Sequence, residues 1–193
     1  MGKTAGQLIE GRMNEVKITY SGVVTQYKVA PLTMSMIYGL LYPIVGETVN
    51  FINALDVAKE RAVKVEEVIS TQEQEFVNLV SIKIKTDKET FSLWGTLSGN
   101  KQPRIVKVND VYVEATPNGY MLFINNNDKP GMVGAVGTIL AKEGINIAGI
   151  TLGRHSKAGV AISIVNVDSK VPDKVIANLR KTKNILFVKL IRV

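Results

Sequence analysis

The chain has 193 residues, 46% of them apolar and 21% charged, with a formal net charge of +7. This length suits one large globular domain or two small ones, and the composition is ordinary for a globular protein. With no cysteine and one histidine, the chain cannot supply disulfides, thiolate nucleophiles, iron–sulfur ligands or a histidine metal cluster.

The segment before the turn signal Thr116-Pro117-Asn118-Gly119 predicts an irregular α+β domain. Helices are expected over 5–12, after Pro31 and over 53–61. Pro43 is expected to end the second helix because proline has no N–H to donate. Strands are predicted at 16–20, 63–69, 77–85, 91–97, 104–108 and 111–114.

The segment after the turn predicts a ferredoxin-like βαββαβ unit, with two helices on one face of a four-stranded sheet. Its strands are expected at 120–125, 145–152, 158–167 and 185–193. Apolar residues at helical spacing from Val133 to Leu140 predict the first helix, which ends before Gly144. Pro172 suits the first position of the second helix. A hairpin is expected over 153–157.

The basic character of the chain is concentrated near its end, where six of the 24 Lys and Arg residues lie within the last 22 positions. Such a surface can attract nucleic acid, but solvated basic faces are common, and we expect no nucleic-acid partner. The apolar runs are shorter than the roughly 20 residues that cross a bilayer. Without a secretion signal, we expect no membrane association and a cytoplasmic location.

The turn from Asn126 to Gly131 is where binding chemistry is concentrated. Pro130 suits a helix start, Gly131 lets a ligand approach the backbone, and free N–H groups at about Gly131 to Gly134 suit a carboxylate. Asp128 can accept a hydrogen bond from an ammonium group. These two poles fit a zwitterionic amino acid. The alternative is that Asp128 only caps the helix and Asn126 only forms the turn.

Other unusual residues allow more than one interpretation. Gly134 and Gly137 each cost about 1 kcal/mol inside a helix, which favours close packing against the sheet or a partner. Asn146 either caps the turn after Gly144 or bonds a ligand. Arg154 is expected to be a surface charge, and His155 to be structural or exposed to solvent.

Catalytic motifs are missing from the sequence. It contains no Gly-x-Ser-x-Gly nucleophile elbow, no Gly-x-Gly-x-x-Gly dinucleotide loop and no phosphate loop ending in Gly-Lys-Ser/Thr. We therefore predict no catalytic residue and no metal site in this chain.

Two groups of motifs resemble a known family. The C-terminal ones resemble the ACT domain, an amino-acid-sensing module, and specifically that of the D-3-phosphoglycerate dehydrogenase family: Asn126-x-Asp128-x-Pro130-Gly131-Met132-Val133, Gly144-Ile145-Asn146-Ile147-Ala148 and Val171-Pro172-Asp173. The N-terminal ones resemble that family's intervening (allosteric substrate binding) domain: Gly46-Glu47-x-Val49-Asn50, Asn53-Ala54, Ala58-Lys59-Glu60-Arg61 and Pro103-Arg104-Ile105-Val106.

The resemblance implies an organisation for the chain. It assigns 1–13 to the remnant of a linker helix from a missing nucleotide-binding domain, 14–117 to the intervening domain and 118–193 to the ACT domain. NAD and the catalytic residues would belong to the missing domains of an NAD-dependent oxidoreductase, so this chain alone would hold no cofactor and would not be an enzyme.

The resemblance also implies a ligand and an assembly. L-serine, or a similar small amino acid, would bind between the ACT domains of a homo-oligomer and give feedback inhibition. The implied binding residues are Asn126, Asp128, Pro130, Gly131, Met132, Val133, Asn146 and Ile147, with Asn146 coming from the same or the facing module. Arg104 marks an anion site of some members, but Tyr112 and Thr116 stand where further polar or basic contacts are expected. The alternatives are the regulatory portion of an iron–sulfur L-serine dehydratase and a stand-alone ACT amino-acid-binding protein.

Overall fold

The computed structural model describes residues 1–72, 75–99, 101–154 and 159–193. The chain forms two compact units, Met1–Asn109 and Asp110–Val193. This division falls a few residues before the boundary at 117/118 expected from the sequence. Both units mix helices with a sheet, which confirms the predicted α+β class.

The first unit combines α-helices with a sheet. Its helices are α1 (Gly2–Leu8), α2 (Ala30–Val45) and α3 (Ala54–Glu60). Its strands are β1 (Met13–Gly22), β2 (Lys64–Ser70), β3 (Asn78–Thr86), β4 (Thr90–Ser98) and β5 (Gln102–Val108). Within this unit the strand order is β2-β1-β3-β4-β5. The β1–β2 pair is parallel, while β3 runs antiparallel to β1.

One face of the first sheet forms the core of the unit. Val16, Ile18 and Tyr20 alternate along β1 and are fully buried, and Ile82 and Ile84 are buried on β3. The register pairs Ile18 with Ile82, so these side chains share one face. The residues between them are mostly charged or hydroxylated, which is the period-two pattern of a sheet with one buried side.

Glycines bring α1 and α2 into backbone contact. A Cβ atom at Gly2 would lie 2.1 Å from the Met36 carbonyl oxygen, and one at Gly6 would lie 2.2 Å from that of Leu40. Only glycine permits this approach. The segment 1–13, expected to be a linker remnant, therefore contains a helix that packs within the first unit.

The end of α2 differs from the prediction. Pro43 lies inside the helix, which continues to Val45 and ends at Gly46 with a φ of +66°. Proline removes one intrahelical donor, but so close to the C-terminus the helix loses little, and the left-handed glycine sets its end. The prediction that Pro43 ends the helix is wrong.

The second unit has the predicted ferredoxin-like βαββαβ order. A short strand β6 (Val111–Ala115) precedes β7 (Tyr120–Asn127), α4 (Met132–Lys142), β8 (Ile147–Arg154), β9 (Val160–Val167), α5 (Asp173–Lys181) and β10 (Ile185–Arg192). The sheet order is β10-β7-β9-β8, with antiparallel neighbours throughout. Pro172 caps α5 and is not its first residue. In the predicted 153–157 hairpin, residues 155–157 lie outside the described residues.

Both helices of this unit pack on the same sheet face. Leu122 and Val165 from the sheet contact a core that includes Val136 and Leu140 of α4 and Leu179 of α5. This packing fixes the connection from β7 to α4, where the predicted site lies.

Candidate functional site

The connection from β7 to α4 is shorter than the sequence indicates. Strand β7 continues through Asn127, and the Asp128 N–H then donates to the Gly159 carbonyl oxygen at 2.8 Å. Gly131 has a φ of +90° and caps the helix, so α4 begins at Met132. The expected helix start at Pro130 is therefore wrong by two residues. Gly131 lies between Pro130 and the helix, and its left-handed backbone conformation is not helical, so the helix can begin only after it.

The N-terminus of α4 presents backbone donors. The first helical bond runs from the Ala135 N–H to the Gly131 carbonyl oxygen at 2.8 Å. By the i to i−4 geometry, the N–H groups of Met132, Val133 and Gly134 have no acceptor within the helix. They lie at its positive end, where a carboxylate is stabilised.

Asp128 is paired with Arg154, which was expected from the sequence to be only a surface charge. Arg154 Nη1 donates to Asp128 Oδ2 at 3.2 Å, with side-chain exposures of 52% and 20%. The register explains the contact, because Arg154 and Asn126 both align with Ala161, one from each side. Sequence spacing alone could not show that the ends of β7 and β8 meet across β9.

The side chain of Asn126 is buried and hydrogen-bonded within the second unit. It is only 2% exposed, and its Nδ2 donates to the Asn127 carbonyl oxygen at 2.8 Å. Its Oδ1 accepts from Ser163 Oγ at 3.2 Å. Both polar ends of this amide therefore have partners inside the protein, and the residue lies within strand β7 and not in the turn.

Asn146 and Ile147 lie at the other end of α4 from Asp128. Asn146 precedes β8, and its Nδ2 donates to Asp168 Oδ2 at 2.7 Å. Eleven helical residues span about 16 Å. The structure therefore does not bring Asn146 together with Asp128 within one chain.

The exposed side of α4 carries the two internal glycines. A Cβ atom on Gly134 or Gly137 would meet nothing within 4 Å, so packing against the unit's own sheet does not explain them. The sheet edge formed by β8 exposes Ile150 and Leu152. Ile150 pairs with the buried Val165 and so lies on the helix-bearing face. Within the described part of the chain, Gly134 and Gly137 therefore have no close packing contact that calls for a small residue.

Arg104 is engaged by its own strand. Its Nη1 donates to the Pro103 carbonyl oxygen at 3.1 Å and its Nη2 to Gln102 Oε1 at 2.8 Å. The geometry therefore gives the expected anion site no specific support.

Among the described ranges, no group of three or more His, Asp or Glu residues is placed to hold a metal ion. None of the described helices combines the length and apolarity needed to cross a bilayer.

A depression of about 300 Å³ on the polar face of the first sheet was not predicted. It is lined by Glu15, Lys17, Lys83, Lys85 and Thr90. Lys17 Nζ lies 3.0 Å from Glu66 Oε1. This hydrogen bond, and then the Lys17 charge, lowers the pKa of the Glu66 carboxyl below its ordinary value.

Comparison with known proteins matches both units. Residues 1–109 match the family model of the D-3-phosphoglycerate dehydrogenase intervening domain, and residues 120–184 match that of the ACT domain. The D-3-phosphoglycerate dehydrogenases of Bacillus subtilis and Methanocaldococcus jannaschii are each 34% identical over 191 residues. The alignments cover 99% of this chain but 36% of those proteins, so the chain spans about a third of their length.

A solved structure with a related fold is the ACT domain from the GTP pyrophosphokinase of Chlorobium tepidum. It is 21% identical, with a TM-score of 0.32, and the match covers 42% of this chain and 99% of that one. The fold of the second unit is established by its own strand order.

Proposed function

We propose that this chain, which belongs to the family of the D-3-phosphoglycerate dehydrogenase intervening domain and carries an ACT domain, is an amino-acid-sensing regulatory region that binds L-serine. In a longer protein like its relatives, serine would restrain the dehydrogenase as a feedback inhibitor. The chain alone would have no dehydrogenase activity, and NAD would bind outside it. The expectation of a cytoplasmic location stays a prediction.

The observation that carries this proposal is the pairing of opposite poles where β7 meets α4. The amides of Met132, Val133 and Gly134, which have no acceptor within the helix, suit the α-carboxylate of an amino acid. Asp128, four residues before the helix, suits its ammonium group. Gly131 leaves the approach open as far as the described residues go, since even a Cβ there would meet none of them within 4 Å.

The ligand site is proposed to be completed by a second copy of the chain. Asn146 lies about 16 Å along α4 from the helix N-terminus, so it can reach the ligand only from a facing ACT domain. The open side of Gly134 and Gly137 and the exposed edge of β8 support such a contact. In a twofold dimer, each site would combine Asp128 of one chain with Asn146 of the other.

The similarity of both units to dehydrogenases distinguishes this proposal from its rivals. The two relatives align with 99% of the chain, including the intervening domain. This favours a dehydrogenase as the kind of protein to which the chain is related, over an iron–sulfur L-serine dehydratase or a stand-alone ACT protein.

Calorimetric titration with L-serine tests the ligand. The unmodified chain is expected to bind with saturable heat, and Asp128→Asn is expected to bind at least tenfold more weakly, because a charged hydrogen bond contributes about 1.5–3 kcal/mol. Asp56→Asn is the matched control, because Asp56 stands in the first turn of α3 in the first unit and its loss changes the net charge by the same amount. Equal binding by all three proteins would reject this site.

Mixing two defective variants tests whether the site is shared. Asp128→Asn and Asn146→Ala are each expected to lose serine binding alone. A mixed dimer would contain one intact site, so co-refolding the two variants should restore half of the stoichiometry in mixed dimers. If mixing restores nothing, the site does not combine these residues from two chains.

A further inference from the structure

The Asp128 carboxylate, which is proposed to receive the effector's ammonium group, already has a cationic partner in the same chain. Arg154 Nη1 donates to Asp128 Oδ2 at 3.2 Å. The contact uses one donor and one oxygen, although guanidinium and carboxylate can form two parallel bonds. The Arg154 guanidinium therefore occupies the proposed ammonium position, but it does not form the two parallel hydrogen bonds of the strongest guanidinium–carboxylate pairs.

The strand arrangement directs Arg154 toward Asp128. Arg154 ends β8 and Asn126 lies near the end of β7, and both are in register with Ala161 of β9 between them. Two strand spacings amount to about 10 Å. The small, fully buried Ala161 side chain does not obstruct a long side chain crossing this distance. The pair is thus a consequence of the sheet register.

The electrostatics make this contact easy to break. Arg154 is half exposed, with a side-chain exposure of 52%, and solvent weakens ion pairs of this kind. The N-terminus of α4, which disfavours a cation, begins four residues after Asp128. A ligand that brings both an ammonium group and a carboxylate is better matched to this position than the guanidinium alone.

We propose that Arg154 is an internal competitor of the effector, which neutralises Asp128 in the empty sensor and must be displaced by the amino acid's ammonium group. This inference rests on the proposed function, because it concerns the same site. Arg154 would set the concentration at which the sensor responds. Removing it should therefore strengthen effector binding, whereas removing a ligand-binding residue should weaken it.

The affinity test compares L-serine binding by the unmodified chain, Arg154→Gln and Lys59→Gln. Lys59 lies in the last turn of α3 in the first unit, so its loss changes the net charge equally outside the ACT domain. An exposed ion pair is worth up to about 1 kcal/mol, so we expect Arg154→Gln to bind about two- to fivefold more tightly. Lys59→Gln should bind like the unmodified chain. Unchanged or weaker binding by Arg154→Gln would overturn the proposal.

Guanidinium NMR tests the displacement itself. In the empty protein, Asp128→Asn should release Arg154 and speed rotation about its Nε–Cζ bond. Saturating L-serine should release the same group in the unmodified chain, and continued restraint at saturation would overturn the competitor role. If L-serine binds to none of the three proteins, the proposed function fails. If it binds and Arg154 stays restrained, only this inference fails.

Discussion

Hydrogen bonds among three side chains connect α2 to the sheet of the first unit, and their contribution to the free energy of unfolding can be measured. Thr33 of α2 lies between Tyr20 of β1 and Glu67 of β2. Its Oγ1 donates to Glu67 Oε2, so the Tyr20 hydroxyl, 2.9 Å from Thr33 Oγ1, is the donor in the other bond. Tyr20 and Thr33 are both buried. The substitution Thr33→Val keeps the branched shape and removes both bonds.

The expected loss follows from which group remains without a partner. Glu67 is exposed and can bond water, but the fully buried Tyr20 hydroxyl would be stranded at a cost of about 1–3 kcal/mol. We expect Thr33→Val to reduce the free energy of unfolding by about 2 kcal/mol. Tyr20→Phe should cost about 1 kcal/mol. The double variant should lose less than the sum of the two, because no hydroxyl is then stranded.

Urea unfolding followed by the fluorescence of Trp94 measures these differences. Trp94, the only tryptophan of the chain, lies in the first unit and reports its unfolding. If Thr33→Val causes the same loss in the unmodified chain and in the Tyr20→Phe variant, the reasoning is refuted.

Burial also raises the pKa of the Tyr20 phenol above its ordinary value of 10.0, and the Glu67 charge adds to this. The associated stability is present below pH 10 and lost as the pH rises through the raised pKa, so Tyr20→Phe should reduce that alkaline loss.

Three further substitutions have expected outcomes. Ala62 has a φ of +57° just after α3, so Ala62→Gly should raise the free energy of unfolding by about 0.5–1 kcal/mol in urea titrations, and a loss would contradict this. Asn126→Ala should strand the Ser163 hydroxyl and cost about 1–3 kcal/mol, and an unchanged melting temperature of the second unit would show that Asn126 is not structural. In Gly153→Ala the new Cβ would lie 2.3 Å from the Tyr112 carbonyl oxygen. The strands should separate locally, with faster amide exchange in β6 and β8, whereas native exchange rates would contradict the close approach.

The elements whose sequence period is strong were predicted well, but not always with the right buried face. In α4 the buried side chains are Met132, Val136 and Leu140, whereas Val133, which was expected in the buried stripe, is exposed. In β9 the residues from Ala161 to Val165 are all buried, so both faces of the strand are covered and not only one. The end of α2 was placed at Pro43 because proline is a general helix breaker. A left-handed glycine at position 46 determines the end instead.

The candidate site was only partly predictable, for a physical reason. Backbone features such as Gly131 and the helix start depend on local sequence and were located to within two residues. The partner of Asp128 depends on strand register, so Arg154 was not recognised. The sequence shows only that position 126 is an asparagine. Its burial and its hydrogen bond with Ser163 depend on how the strands pair, which the sequence does not show.

In the proposed twofold dimer, the location of Asp128 and Asn146 at opposite ends of α4 has a thermodynamic consequence. When two chains must each supply one half of a pocket, ligand uptake and subunit association are linked equilibria. Dilution of the protein then lowers the apparent affinity for the amino acid, and saturating amino acid lowers the concentration at which chains pair. Such a sensor responds to its own abundance as well as to the metabolite.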